Sequence, residues 1–116
     1  MTGNTKAIGS DGEAVAQVKL YNEVLVSYDI ADTGQRTKLF NKLKDISLTS
    51  IQKSVFWGHL NRAEETSVKH LLKIYCAKTD KAFIARVKLS EQIQQNNSVG
   101  YEKQDFPQYS TSYHVI

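Results

Sequence analysis

The hydrophobic positions of this chain first form a short run, then a helical repeat. Residues 24–30, Val-Leu-Val-Ser-Tyr-Asp-Ile, are apolar, partly β-branched and too few for a typical helix, so they predict a strand. The positions that follow recur at intervals of one, four and seven, as expected for the buried stripe of a helix: Leu39, Phe40, Leu43 and Ile46. Asp32, with Gln35 three residues later, predicts the N-cap of that helix.

The second half of the pattern repeats this alternation. Residues 48–60 are rich in β-formers and long enough for two short strands, although no Asn-Gly or Asp-Gly pair marks the turn. Asn61 and Glu64 then predict a second N-cap before a second helical stripe, formed by Val68, Leu71, Leu72 and Tyr75. Residues 80–89 predict a last strand. The order β-α-β-β-α-β predicts an α+β, ferredoxin-like sandwich with two helices on one face of an antiparallel sheet.

The segments on either side of residues 21–90 lack the alternation of strand and helix patterns. Residues 1–20 are small and polar and predict a flexible arm. Residues 91–100 are polar and predict a linker, whereas residues 101–116 carry several aromatic and aliphatic side chains. Because that much apolar surface favours docking, we expect an extra C-terminal strand that adds to a sheet edge, of this chain or of a second copy, at a homodimer contact.

Composition indicates the number of domains, the cellular location and the kind of partner. The 116 residues suffice for one domain. The chain has no long apolar run, so we expect no membrane segment, and no basic start followed by an apolar stretch, so we expect no secretory signal. The single cysteine, Cys76, excludes an intramolecular disulfide and fits a cytoplasmic location. Residues 21–90 contain 12 Lys and Arg against seven Asp and Glu. This excess could attract a polyanion, although a merely soluble, lysine-rich surface has the same composition.

Three stretches resemble one known family. Residues 26–30, Val-Ser-Tyr-Asp-Ile, followed by Arg36 and Lys38, are similar to the first strand and helix of the CRISPR-associated protein 2 family. Residues 51–56, Ile-Gln-Lys-Ser-Val-Phe, and residues 80–87 resemble later parts of the same pattern, in the same order. The chain departs from the family at Trp57, where members often carry an acidic residue, and in its additional N-terminal arm.

The resemblance implies a site at Asp29. In the family the matching aspartate faces its symmetry mate across a dimer, and two such carboxylates would bind Mg²⁺, or Mn²⁺, for phosphodiester cleavage. Asp29 is therefore the predicted catalytic and metal-binding residue. The alternative is that Asp29 only accepts hydrogen bonds before the first helix. We also predict that Arg36, Lys38 and Lys42 contact nucleic-acid phosphates, the alternative being an ordinary solvated helix face.

Two functions follow from the resemblance and do not exclude each other. One is a homodimeric adapter that bridges subunits of the CRISPR integrase and binds duplex DNA during spacer acquisition. The other is a metal-dependent nuclease that acts on RNA or DNA. The fold alone leaves two further alternatives open: a toxin-like ribonuclease resembling virulence-associated protein D, and a ferredoxin-like binding module without a nucleic-acid role.

Overall fold

The computed structural model describes residues 20–107. Its strands and helices follow the predicted order, and the α+β, ferredoxin-like prediction is confirmed. The helices are α1 (Thr33–Lys44) and α2 (Arg62–Tyr75). The strands are β1 (Asn22–Asp29), β2 (Leu48–Gln52), β3 (Val55–Leu60) and β4 (Lys81–Arg86).

The four strands form one antiparallel sheet in the order β2-β3-β1-β4. The turn that the sequence left unplaced lies at Lys53 and Ser54, between β2 and β3. Strand β1 is central, pairing Val26 with Phe56 of β3 on one side and with Ile84 of β4 on the other. The pairing with β3 ends at Ser27 and Val55, so the last residue of β1, Asp29, has a strand partner on the β4 side only, at Lys81.

Alternation along β1 divides the sheet into two faces. Val24, Val26 and Tyr28 are buried on the face that the helices cover, whereas Asp29 at the end of the strand is exposed. The helices complete this core through Leu39, Leu43, Val68 and Leu72. We call the opposite side, to which Leu25, Ser27 and Asp29 point, the outer face.

Both predicted helix caps are present. The Asp32 side chain accepts a hydrogen bond from the Gln35 backbone N–H at 2.8 Å, and α1 begins at the next residue. Asn61 and Glu64 form a reciprocal capping box at the start of α2, with N···O distances of 2.8 and 2.9 Å. These side chains satisfy N–H groups that a helix leaves unpaired in its first turn.

The C-terminal segment turns back over the outer face of its own chain. The Tyr101 hydroxyl donates to the Ile51 carbonyl at 3.1 Å, and the Phe106 ring packs edge-on against Trp57 at 6.0 Å between centroids. Residues 87–107 contain two 3₁₀ turns and no strand. Residues 108–116, the remainder of the predicted strand segment, and residues 1–19 of the predicted arm lie outside the described residues. Within residues 20–107 no helix is long and apolar enough to cross a bilayer.

Candidate nucleic-acid and metal site

Asp29 is the last residue of β1 and lies opposite Lys81 of β4. Its side chain is exposed on the outer face, and within residues 20–107 its carboxylate makes no hydrogen bond or ion pair. Because no group within residues 20–107 pairs with it, this carboxylate at the end of a central strand is available to a cation or donor from outside that range.

The alternative for Asp29 was that it accepts hydrogen bonds in the loop before α1. In the structure Asp80 accepts hydrogen bonds from that loop. One carboxylate oxygen of Asp80 accepts from the Ala31 N–H at 3.1 Å, and the other accepts from the Ala77 N–H at 2.8 Å. Asp80 thus joins the β1–α1 loop to the α2–β4 loop beside Asp29. The sequence marked Asp80 only as the start of a strand, because nothing local shows that residues 49 positions apart meet.

Asp29 does not form a metal centre with other side chains of residues 20–107. No group of three or more His, Cys, Asp or Glu side chains in the described part of the chain could hold an ion together. The chemistry of a free carboxylate suits Mg²⁺, which prefers oxygen ligands, but one carboxylate is too few. Further ligands for an ion at Asp29 would therefore come from outside residues 20–107.

The three predicted nucleic-acid contacts do not share one surface. Lys38 and Lys42 are exposed and one turn apart, so they lie on the same outward side of α1. Arg36 is two residues from Lys38, which places it about 200° around the helix axis. Arg36 is half-buried, and its guanidinium donates to the Ile30 carbonyl at 2.7 Å and to the Thr33 hydroxyl at 3.2 Å. It holds the β1–α1 loop while Lys38 and Lys42 face solvent.

Glu23 is a second polar centre, which the sequence did not indicate. Its carboxylate accepts from Trp57 Nε1 at 2.9 Å, from the Leu89 N–H at 2.7 Å, and from the backbone N–H and hydroxyl of Ser90 at 3.0 and 2.8 Å. Burial alone raises the pKa of Glu23, but these hydrogen bonds outweigh it and lower the pKa below its usual value. Glu23 is therefore a structural carboxylate.

Comparison with known proteins places the chain in a family. A model of the family described as CRISPR associated protein Cas2 matches residues 22–96, which is more than half of the chain. The chain is 36% identical over 98 residues to CRISPR-associated endoribonuclease Cas2 1 of Francisella tularensis subsp. novicida (strain U112), covering 84% of this chain and 100% of that protein.

Two further relatives match shorter parts. The CRISPR-associated endoribonuclease Cas2 of Korarchaeum cryptofilum (strain OPF8) is 41% identical over 51 residues, 44% of this chain and 55% of that protein. Its counterpart in Desulforudis audaxviator (strain MP104C) is 47% identical over 45 residues, 37% of this chain and 42% of that protein. The family match spans the whole sheet and both helices, and the first relative is matched over its full length. The chain therefore belongs to the Cas2 family of CRISPR-associated proteins, and its role is CRISPR-associated.

Proposed function

We propose that this protein is a homodimeric subunit of spacer acquisition that bridges CRISPR integrase subunits and binds duplex DNA. The observation that carries the proposal is the pair of exposed lysines on α1, Lys38 and Lys42, in a chain of the Cas2 family. Exposed cations one helical turn apart can contact successive phosphates without reading bases. Sequence-independent contact is what a bridging subunit needs, because new spacers differ in sequence.

The DNA-binding part is tested with the double variant Lys38→Ala/Lys42→Ala. Binding to a duplex should weaken, and the slope of log affinity against log salt should flatten by about two units at most, because fewer counterions are released. A matched control, Lys78→Ala/Lys88→Ala, removes the same charge from exposed positions outside α1. Duplex affinity that does not change with salt, or equal losses in both double variants, would contradict the proposal. An RNA duplex in parallel shows whether RNA is also bound.

The homodimer would form through the outer face. Phe83 of β4 is 50% exposed there, beside Ser27 of β1, and Leu25 and Val55 are only partly buried. Pairing these outer faces would cover apolar area and bring two copies of Asp29 toward each other. Sedimentation should give a dimer, and Phe83→Asp should dissociate it because a charge would be buried. A monomeric wild type would contradict this part.

Integrase bridging is tested by co-purification with the integrase subunit. We expect a complex that contains a dimer of this chain and more than one integrase subunit, measured by light scattering on a sizing column. Failure of the Phe83→Asp variant to join two integrase subunits would support bridging by the dimer. A complex with one integrase subunit per dimer would contradict it.

The second function we propose is metal-dependent phosphodiester cleavage at Asp29. It is favoured by the Asp29 carboxylate, which is exposed and unpaired within residues 20–107, and by the name endoribonuclease that the relatives carry. Two Asp29 carboxylates at the dimer axis would hold Mg²⁺ or Mn²⁺, which would activate water and stabilise the developing charge. The two carboxylates themselves would orient the ion.

The test is cleavage of RNA and DNA by Asp29→Asn, which keeps the shape and removes the charge. Cleavage should require Mg²⁺ or Mn²⁺ and disappear in the variant, while the dimer and duplex binding persist. Spacer acquisition by Asp29→Asn then separates the two functions, since acquisition at the normal level makes the adapter role primary. Metal-dependent cleavage that persists in a rigorously purified Asp29→Ala protein would contradict the assignment of Asp29.

A further inference from the structure

A concavity of about 390 Å³ lies on the helix side of the sheet, away from the outer face that carries Asp29. It is bounded by the first half of α1 and by the β2–β3 turn. Its lining residues are Tyr28, Arg36, Thr37, Phe40, Lys53 and Ser54. Lys38 and Lys42 do not line it, so it is distinct from the proposed duplex surface.

Tyr28 lines this pocket, and its buried hydroxyl has no hydrogen-bond partner among the described residues. Tyr28 is only 4% exposed, and a buried tyrosine hydroxyl normally has a partner because leaving it unpaired is costly. Burial raises the pKa of the Tyr28 phenol in spite of the nearby Arg36 cation. The hydroxyl therefore stays protonated and can donate a hydrogen bond.

The rest of the lining consists of donors and cations. Arg36 uses both Nη atoms to hold the β1–α1 loop, which leaves its Nε–H without a partner among residues 20–107. Lys53 is exposed at the rim, and the side-chain hydroxyls of Thr37 and Ser54 make no hydrogen bond in the described part of the chain. None of the described residues that line the pocket carries a carboxylate. A set with two cations, three hydroxyls and no acid selects an anion with several oxygens.

We propose that this pocket binds the phosphate group of a nucleotide, either free or at the end of a nucleic-acid strand. The volume exceeds that of a bare phosphate, and the Phe40 ring offers an apolar wall for a sugar or base. Arg36 and Lys53 make the first contacts with the phosphate. Because the Tyr28 hydroxyl is covered, it donates to a phosphate oxygen only after a lining side chain turns aside. The site needs neither a dimer nor a metal, so it goes beyond the proposed function.

The experiment is calorimetric titration of the full chain with adenosine 5′-monophosphate, adenosine and inorganic phosphate. The monophosphate should bind at least about tenfold more tightly than adenosine, as expected for charged hydrogen bonds. Tyr28→Phe, which removes only the hydroxyl, should weaken monophosphate binding about tenfold. Lys53→Gln should weaken it about threefold, whereas the control Lys88→Gln should not.

The folded state of Tyr28→Phe is checked by its melting temperature, which should be unchanged or raised because an unpaired hydroxyl is lost. If this variant does not fold, the monophosphate affinity of Lys53→Gln, a change on the exposed β2–β3 turn, tests the proposal instead. Equal affinities for adenosine and its monophosphate, or a Lys53→Gln affinity equal to that of Lys88→Gln, would overturn the proposal.

Short single strands with a 5′-phosphate or a 5′-hydroxyl distinguish the sources of the phosphate. Tighter binding of the phosphorylated strand than of the monophosphate assigns the pocket to strand ends, and equal binding assigns it to a free nucleotide. If the protein binds neither the monophosphate nor the phosphorylated strand, yet binds duplex DNA through Lys38 and Lys42, the pocket proposal alone is overturned. The reverse result would overturn only the duplex proposal.

Discussion

At the scale of single residues, Glu23 shows how one side chain ties distant parts of the chain together. Its carboxylate collects hydrogen bonds from Trp57 on β3 and from Leu89 and Ser90, which follow β4. These groups are more than 30 residues away in the sequence. Glu23 therefore anchors the start of the C-terminal segment to the central strand.

The lowered pKa of Glu23 makes this anchor sensitive to acid. The unfolded chain takes up the proton at the usual pKa near 4.5, whereas the folded protein takes it up only at lower pH. The resulting stability is present above about pH 4.5 and is lost as the pH falls through the folded-state pKa.

We expect Glu23→Gln to lower the free energy of unfolding by about 1–2 kcal/mol at pH 7, because a charged acceptor is lost to four donors. Urea unfolding at several pH values measures this, and the loss should shrink toward acid pH. Glu91→Gln, at an exposed position of similar chemistry, serves as the control. A loss that stays constant down to strongly acid pH would contradict the role of the Glu23 charge.

Gly58 of β3 is required because β3 closely approaches the residues at the start of β2. A Cβ at this position would lie 2.7 Å from the Ser47 carbonyl oxygen and 3.1 Å from a Leu48 methyl group. We expect Gly58→Ala to cost about 1–3 kcal/mol by overpacking, measured by thermal unfolding. Gly34→Ala, in the first turn of α1, would place a Cβ 3.2 Å from the Asp32 oxygen that caps the helix, and should cost less than Gly58→Ala because a side chain yields more easily than backbone. Equal effects of the two changes would exclude this explanation.

At the scale of elements, α2 is fixed at its beginning and along its buried side. The Asn61–Glu64 capping box closes the first turn. Further along, Glu65 is only 5% exposed and accepts from Arg86 of β4 at 3.1 Å and from Asn22 of β1 at 2.8 Å. A buried carboxylate is tolerated here because both neighbouring strands supply donors.

Replacing the cap by Asn61→Ala should destabilise the protein by about 1 kcal/mol, because the Glu64 N–H loses its acceptor. Amide hydrogen exchange should quicken first in the opening turn of α2 while the sheet stays protected. Asn61→Asp keeps the acceptor and should retain most of the stability. Faster exchange spread evenly over the sheet would instead indicate a global effect.

At the scale of the whole molecule, the C-terminal segment covers part of the outer face. Phe106 stacks near Tyr101 and packs on Trp57, which is 1% exposed and the single tryptophan of the chain. Trp57 also donates to Glu23, so the segment shields a hydrogen bond of the sheet. The segment therefore determines how much of the outer face is available to a partner.

Deleting residues 101–116 should expose Trp57 and shift its fluorescence to longer wavelength. Phe106→Ala should give a smaller shift of the same sign, and Phe83→Ala, at a position away from Trp57, should give none. We further expect the deletion to weaken the dimer or lower solubility, as measured by light scattering. Unchanged emission would contradict the docking of the segment on Trp57, and an unchanged dimer would contradict its part in association.

Local sequence patterns were enough to predict the helices and strands of this protein. Helix stripes, β-rich runs and caps depend on neighbours a few residues apart, so α1 with Asp32, α2 with Asn61 and the two strands within residues 48–60 were predictable. The resemblance to the family rested on local motifs for the same reason, and the comparisons confirmed it.

The roles of individual polar side chains depend on contacts that form when the chain folds. Separation along the chain does not indicate distance in space, so Asp80 rather than Asp29 ties the loops, and Glu23 meets Ser90 across 67 positions. Helix geometry turned Arg36 toward the β1–α1 loop while Lys38 stayed exposed. Whether the Tyr28 hydroxyl has a partner depends on every side chain packed around it, which no local pattern records.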